Sequence, residues 1–326
     1  MRRFVETCDA VGATSKKTQK VALVSDLLKT LSLKEATLAA VFLTGRAFPS
    51  REERVLGVGG SQLARVVADL AKADAVDLGK TYREHGDLGD MAEHLLRNAG
   101  NPPGANVSLQ QVEEAFERLT ETRTTAQKTA ILRNLFEQMS AGEVKYAIKI
   151  ITGDLRIGLK ESLVEEALAR AFERPLEDVR RANMLTGDIA ETLRSAAANE
   201  LGSVRMRLFH PIGFMLASPI ETADEISFTE GNVLIAEEKY DGIRAQVHKS
   251  ADGIKFFSRT LDEIVEFPEL NTVFERLPGD LILDGEILAW HGTQPLPFTE
   301  LQKRLGRKQV QMDLWLQHEI PVRFAA

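Results

Sequence analysis

The densest run of residues able to do chemistry is Glu237-Glu-Lys-Tyr-Asp-Gly-Ile-Arg244, which follows the apolar run Val233-Leu-Ile-Ala236. A lysine that ends a strand and opens a glycine-containing turn stands where sites are usually built. A lysine amine becomes a nucleophile once it has lost its proton, and desolvation and neighbouring cations favour that loss near neutral pH. Asp241, Arg244 and Arg259 add a carboxylate and two guanidinium forks. Such forks match phosphate or ribose oxygens. An ordinary hairpin would also explain Lys-x-Asp-Gly, with Asp-Gly forming the turn and lysine protecting a strand edge. The second group is Leu283-Asp-Gly-Glu-Ile287. Asp284 and Glu286, two residues apart, share one face of a strand. Their apolar flanks imply burial, and buried carboxylates need a sugar hydroxyl, an arginine or a divalent metal as partner. A surface hairpin around Asp284-Gly285 is the competing arrangement.

The elements that must position these residues fall into two regimes. Up to about residue 200 the apolar spacing is helical: Val21, Leu23, Val24, Leu27, Leu28 and Leu31, then Leu38, Val41 and Phe42, then Leu63, Val66, Val67 and Leu70. Ser108 and Gln111 form a capping-box pattern ahead of Val112, Ala115, Phe116 and Leu119. Further helices are predicted over 126–139, 143–151, 162–172 and 176–182, with a loop over 98–106. Irregular sequence with Pro211, Gly213 and Pro219 follows, and then the period becomes two. Strands are predicted over 233–240, 243–248, 254–259, 281–289 and 320–324. An Asp252-Gly253 turn, a helix over 267–276 and a short one over 298–305 complete the set. These patterns predict an all-helical domain, 1–202, followed by an α+β domain, 203–326.

Composition sets the bounds. A chain of 326 residues with 44% hydrophobic and 27% charged residues is an ordinary two-domain globular sequence. The single cysteine, Cys8, excludes a disulfide framework and a cysteine-based zinc site, and suits a reducing, intracellular setting. No apolar run approaches a membrane span, and no apolar stretch follows Met1-Arg-Arg to make a secretory signal. Lys+Arg 41 against Asp+Glu 48 gives a net charge of −7, which argues against a wholly basic nucleic-acid coat and leaves a local basic face open. The six histidines show no metal-ligand spacing and read as structural or surface residues.

Taken together, Lys239-Tyr-Asp-Gly-Ile-Arg244, then Ser258-Arg259, then Asp284-Gly-Glu286 resemble, in order and spacing, the covalent nucleotidyltransferases: DNA ligases, RNA ligases and mRNA capping enzymes. The resemblance implies an ATP-grasp-like, antiparallel-sheet-rich adenylylation domain. In it Lys239 attacks the α-phosphate of ATP and becomes lysyl-AMP. Glu237 matches the adenine-contacting position, Arg244 and Arg259 match residues that hold ribose and phosphates, and Glu286 matches a glutamate that contacts the ribose and bears on the Mg²⁺ ion. In the first half, Gly86-Asp-Leu-Gly-Asp-Met-Ala-Glu93, Lys145-Tyr146, Leu155-Arg-Ile-Gly-Leu-Lys160, Thr186-Gly-Asp-Ile-Ala190 and Phe214-Met-Leu-Ala217 resemble the all-helical DNA-binding domain of ATP-dependent DNA ligases and the connection that follows it.

That branch implies an enzyme sealing nicks in double-stranded DNA through lysyl-AMP, then DNA-adenylate, then a phosphodiester, in repair, replication and recombination. A monomer working on the nucleoid in the cytoplasm is expected, with no membrane partner. Gly153, Arg156, Gly158 and Lys160 are the expected DNA contacts, because glycine near a helix start lets backbone N–H groups approach a phosphate. Such contacts ignore sequence, as sealing any nick requires. The rest of the family pattern would lie past residue 326: an aromatic stacking on adenine, a later glutamate, a lysine pair on the α-phosphate and an OB-fold domain. Phe324 falls short of the stacking position. The expectation is therefore a C-terminally incomplete ligase with little activity by itself. An RNA ligase or capping-type enzyme and a non-catalytic DNA-binding module are the alternatives.

Overall fold

The computed structural model describes residues 1–49, 52, 54–100, 107–214, 217–223, 226, 235–305 and 320–326. The chain divides into two compact units, Met1–Arg205 and Met206–Ala326.

Among its described residues the first unit holds twelve helices: α1 (Arg2–Gly12), α2 (Lys17–Thr30), α3 (Leu33–Leu43), α4 (Gly60–Ala71), α5 (Ala75–His85), α6 (Leu88–Asn98), α7 (Leu109–Glu121), α8 (Thr125–Glu137), α9 (Ala141–Thr152), α10 (Glu161–Ala171), α11 (Leu176–Thr186) and α12 (Ile189–Ala198). Their starts are chemically marked. Ser32 with Glu35, Ser108 with Gln111 and Ser140 with Glu143 each form a reciprocal capping box, and Asp74, Asp87, Thr124 and Asp188 cap four more. Each cap satisfies backbone N–H groups that the first helical turn leaves without partners, a contribution of about 1 kcal/mol. The core gathers Phe4, Phe42, Phe116 and Tyr146 in edge-to-face contacts. The loop predicted over 98–106 lies outside the described residues from 101 onward.

The second unit is an antiparallel sheet. Its elements are β1 (Ile243–Ser250), β2 (Gly253–Ser258), β3 (Glu263–Ile264), a 3-10 turn (Pro268–Leu270) running into α13 (Asn271–Phe274), β4 (Leu281–His291), β5 (Gln294–Pro295), α14 (Phe298–Gln302) and β6 (Val322–Ala325). The strand order is β3-β2-β1-β4, with β5 and β6 both pairing β4. Alternation divides the sheet into two faces. Ala245, Val247, Phe256, Ile287 and Ala289 point to one side and close a core with Phe267, Leu270, Phe274 and Leu301. Each large side chain buried there contributes about 1.5–3 kcal/mol. Arg244, Gln246, His248, Asp284 and Glu286 occupy the alternate positions and so the opposite face.

Three expectations are corrected here. Residues 235–240 are not a strand: they are exposed and have no ladder partner, because β-pairing begins only at Ile243; residues 233 and 234 lie outside the described part. The helix over 267–276 is a 3-10 turn, Pro268–Leu270, followed by one short α-turn, Asn271–Phe274. The strand over 254–259 stops at Ser258, where the chain folds into a turn closed by Leu261 N–H to the Ser258 carbonyl (2.9 Å) and Ser258 N–H to the Asp262 carbonyl (2.8 Å).

Candidate active site and nucleic-acid interface

The β1–β4 register brings part of the predicted site together. Arg244 lies directly across from Glu286, and Gln246 from Asp284. Diagonal neighbours on one face are within reach of long side chains. Arg244 accordingly donates from Nε to Asp284 Oδ1 (3.1 Å) and from Nη2 to Oδ2 (2.6 Å), a two-pronged pair on one carboxylate. Glu286 Oε1 accepts the Gly242 backbone N–H at 3.2 Å. Burial pushes the Glu286 carboxyl above the ordinary carboxylate range; Gly242 N–H and Arg244 oppose the shift, and Asp241 and Asp284 reinforce it. The Asp284 hydrogen bonds hold Arg244 more firmly protonated.

The two carboxylates are less enclosed than their apolar flanks imply. Asp284 is exposed and Glu286 half-buried, because this face is opposite the apolar core. The hairpin alternative at Asp284-Gly285 is excluded, since β4 runs unbroken through both residues. Gly285 is there for contact. A Cβ on it would collide with the Ala325 carbonyl and stand 2.7 Å from the Phe324 ring. Gly285→Ala is therefore expected to force β6 away from β4 at a cost of about 3 kcal/mol, the scale of strong overpacking. Urea denaturation, with hydrogen exchange at Val322–Ala325, checks it; unchanged stability together with unchanged β6 protection would refute the packing argument. Phe324 itself lies on the core face, edge-on to Phe274 (5.3 Å, 82°).

Lys239, Glu237 and Arg259 are not brought into that cluster. All three are exposed, and none forms a hydrogen bond or ion pair among the described residues. Lys239 and Arg259, whose roles the resemblance links to Glu286, are thus not gathered around it. Arg259 sits in the turn one residue beyond the last β1–β2 pair, Ala245 with Ser258. Lys239 is three residues from Gly242, a span of at most ~11 Å of extended backbone. The Gly242–Glu286 hydrogen bond therefore tethers the lysine segment within reach of Glu286. Among the described residues no group of three or more His, Cys, Asp or Glu is arranged to hold a metal ion.

Two further residues of this face, Gln246 and His248, carry no sequence signal beyond strand alternation, yet both are buried. A polar residue at every second position signals a face and does not disclose what covers it.

In the helical unit, Gly153, Arg156, Gly158 and Lys160 are all exposed. They line one concavity of about 250 Å³ with Thr44 and Gly45. The glycines do not open a helix. Gly153 caps the C-terminus of α9, and α10 begins at Glu161 after Lys160, whose side chain makes no cap hydrogen bond. Gly158 has φ +62, and a Cβ there would stand 2.8 Å from Lys20 Nζ. That buried ammonium donates to the carbonyls of Ile157 (2.5 Å) and Gly158 (3.0 Å), pinning the loop to α2. Arg156 donates from Nη1 to the Gly86 carbonyl (2.8 Å) and pairs with Asp87 (3.4 Å), so much of its guanidinium serves the fold. The hollow is lined by the backbone of this loop together with Asp154 and Lys160. Among the described residues, no helix is long and apolar enough to cross a membrane.

Comparison with known proteins gives this geometry its setting. Residues 1–169 match the family described as DNA ligase N terminus, and residues 214–326 match the ATP dependent DNA ligase domain. A probable DNA ligase of Koribacter versatilis is 49% identical over 99% of this chain and 56% of its own length. A probable DNA ligase of Opitutus terrae is 39% identical over 98% of this chain and 38% of its own length. DNA ligase 1 of Korarchaeum cryptofilum is 31% identical over 99% of this chain and 59% of its own length. The chain thus spans about half the length of these curated relatives. With both family domains matched in order, and a helical unit followed by an antiparallel sheet carrying the Arg244–Glu286 row, the chain belongs to the ATP-dependent DNA ligase family.

Proposed function

We propose that the protein containing this chain seals nicks in duplex DNA, using ATP and Mg²⁺. Residues 1–202 would grip the duplex, and the domain beginning at 203 would carry the nucleotide chemistry, in a monomer. The Lys239 amine attacks the α-phosphorus of ATP; a P–N bond forms, the bond to the β-phosphate oxygen breaks, pyrophosphate leaves and the amine proton passes to solvent. An oxygen of the nick's 5′-phosphate then attacks the adenylyl phosphorus, the P–N bond breaks and the lysine amine regains a proton; finally the 3′-hydroxyl attacks that 5′-phosphate, AMP leaves and the hydroxyl proton passes to solvent, which forms the phosphodiester. Glu237 contacts adenine, Arg244 and Arg259 hold ribose and phosphate oxygens, and Glu286 contacts the ribose. Mg²⁺ is commonly bound by one or two carboxylates completed by phosphate oxygens and water. Glu286, with the nearby negative charge of Asp241 and Asp284, is a donor of that kind. The concavity at Gly153, Arg156, Gly158 and Lys160 takes backbone phosphates of the duplex without reading its sequence.

The observation that supports this reading most is the tether between the lysine segment and the acidic strand. Gly242, inside Lys239-Tyr-Asp-Gly-Ile-Arg244, donates to Glu286 beside the Arg244–Asp284 pair. Two separate sequence signals thus meet on one sheet face, opposite the core.

The test is incubation with α-labelled ATP and Mg²⁺ followed by denaturing electrophoresis. It is run on the 326-residue chain and on the same chain fused to the C-terminal remainder of the Koribacter relative, with nicked duplex added in a second arm. A covalent AMP adduct and sealed duplex from the fusion are expected, with much weaker sealing from the chain alone. Labelling by GTP in preference to ATP, or sealing confined to RNA ends, would move the assignment to the capping or RNA-ligase branch. Duplex binding with no adduct from either protein would leave a non-catalytic DNA-binding module.

A further inference from the structure

Gln246 and His248 are 4% and 0% exposed, although they lie on the sheet face away from the apolar core. Buried polar groups require partners: His248 Nε2 meets Gln246 Oε1 at 3.3 Å, and the remaining partners come from the chain just before the sheet. Gln246 Oε1 accepts the Ile212 N–H at 2.9 Å, and its Nε2 donates to the Ile212 carbonyl. One carboxamide thereby satisfies both backbone groups of one residue, as a neighbouring strand would. His248 Nδ1 accepts the Phe209 N–H at 2.9 Å, and its ring packs edge-to-face on Phe257 (5.0 Å, 77°). Further along, the Phe214 ring lies 4.3 Å from the guanidinium carbon of Arg244. Positions 209, 212 and 214 therefore meet 248, 246 and 244 in turn, and the segment runs along β1 toward the end where Glu286 and the lysine segment stand.

We propose that residues 209–214 form a positioning strap, fastened by Gln246 and His248, whose Phe214 ring sets the plane of the Arg244 guanidinium against Asp284 for contact with the nucleotide. The proposal rests on the nucleotidyl-transfer reading for its last step only. A guanidinium on a flexible stem loses conformational freedom when it binds phosphate or ribose oxygens. Stacking on an aromatic ring and a two-pronged carboxylate together remove that freedom beforehand, which is preorganisation. Gln246 touches no substrate in this scheme and acts through Arg244.

His248 supplies a second handle. Burial pushes its imidazole down to about 4, and His210 adds to the shift. Its neighbours on the flanking strands are Lys255, which is paired with Glu263 at 2.7 Å, and the uncharged Ile282. Protonation would destroy the acceptor for Phe209 N–H. The folded value lies below the ordinary ~6.5, so the stability contributed by the neutral ring is complete above that value and is lost as pH falls from there toward 4. The Phe209 pin should loosen over that window.

The test combines two readouts in the Koribacter fusion. Amide exchange at Phe209 and Ile212, and the ring-current-shifted Nε–H resonance of Arg244, report the strap whether or not any adduct forms. The rate of AMP-adduct formation reports its use. Gln246→Leu is expected to speed exchange at both amides, remove the ring-current shift and slow adduct formation about 10-fold, yet cost less than about 2-fold in an Arg244→Ala background, the non-additivity of groups acting through one another. Phe214→Leu, which leaves both pins intact, should keep the amides protected, release the Arg244 resonance and slow adduct formation equally; it decides the matter if Gln246→Leu fails to fold. An unchanged Arg244 resonance in Phe214→Leu, or full additivity with Arg244→Ala, overturns the proposal. Absence of any adduct from the unsubstituted fusion would instead refute the nucleotidyl-transfer reading, leaving the strap to be judged by the two resonance measurements.

Discussion

Lys239→Ala is expected to abolish AMP-adduct formation, by at least ~1,000-fold, while leaving the melting temperature unchanged. The two halves of that expectation have separate causes. Lys239 is exposed and has no partner among the described residues, so truncating it removes no packing and breaks no ion pair. Surface substitutions of that kind stay within about ±0.5 kcal/mol. The chemical loss is total because a covalent intermediate cannot form without its nucleophile. Lys239→Arg should be equally inactive, since a guanidinium keeps its proton and cannot attack phosphorus. Glu286→Gln should show a partial defect, about 10- to 100-fold, because it keeps an acceptor for Gly242 N–H and loses the charge that suits the metal and ribose. Labelled-ATP gels and thermal melts on the same three variants check all of this. A covalent adduct in Lys239→Ala would dismiss the lysine outright. A large drop in its melting temperature would show that the residue is structural after all.

How much of this was legible beforehand depended on whether the signal was local. Ser108 and Gln111 advertise a helix start because a capping box is complete within four residues, and the same logic was available at Ser32 with Glu35 and Ser140 with Glu143. The alternation over 243–248 was likewise readable, and it places Arg244 and Glu286 on one face once the register is known. The register itself depends on a partner strand nearly forty residues away, so the Arg244–Asp284 pair could not be inferred from spacing. The apolar run ending at Ala236 looked like a strand because hydrophobicity reports a wish for burial and not the presence of a pairing edge. Ile235 is in fact 82% exposed. Gln246 and His248 failed for the complementary reason: what buries them is a non-regular segment with no periodicity to read. At the candidate DNA surface the residue types were visible and their duties were not. Arg156 looks like a phosphate ligand in sequence, yet in three dimensions it is tied to Gly86 and Asp87.

That tie leads into a charged network between α6 and α9, and Lys149→Met is expected to destabilise the helical unit by about 3–5 kcal/mol, the cost of stranding a buried charge. α6 and α9 approach so closely that a Cβ on Gly89 would stand 2.7 Å from the Lys145 carbonyl and 2.8 Å from Lys149 Cγ. Between them Lys149, its side chain 4% exposed, bonds Asp87 (3.1 Å) and Asp90 (2.9 Å). One turn earlier on α9, Lys145 bonds Asp90 (3.1 Å) and Glu93 (2.9 Å). Burial alone would raise Asp90 and Glu93, but Lys149 and Lys145 at Asp90, and Lys145 and Arg97 at Glu93, outweigh it and hold both carboxyls below their ordinary range. Carboxylates so depressed contribute stability that is present at neutral pH and lost as pH falls through their folded-state values. Methionine keeps the methylene packing of Lys149 and removes only its charge, so the loss measures electrostatics. Asp90 retains Lys145 after the change, whereas buried Asp87 is left with the half-exposed Arg156. The partner substitution follows from that asymmetry. Asp87 caps α6 by accepting the Asp90 N–H at 2.8 Å, and asparagine is an equally good cap without the charge. Lys149→Met with Asp87→Asn should therefore recover about half of the loss, and its acid sensitivity should be weaker than that of the unsubstituted chain. Urea titrations followed by helical circular dichroism at pH 7 and pH 4 measure both quantities. A double variant no more stable than Lys149→Met alone would mean that the cost lies in the packing between α6 and α9, with no share owed to the stranded carboxylate.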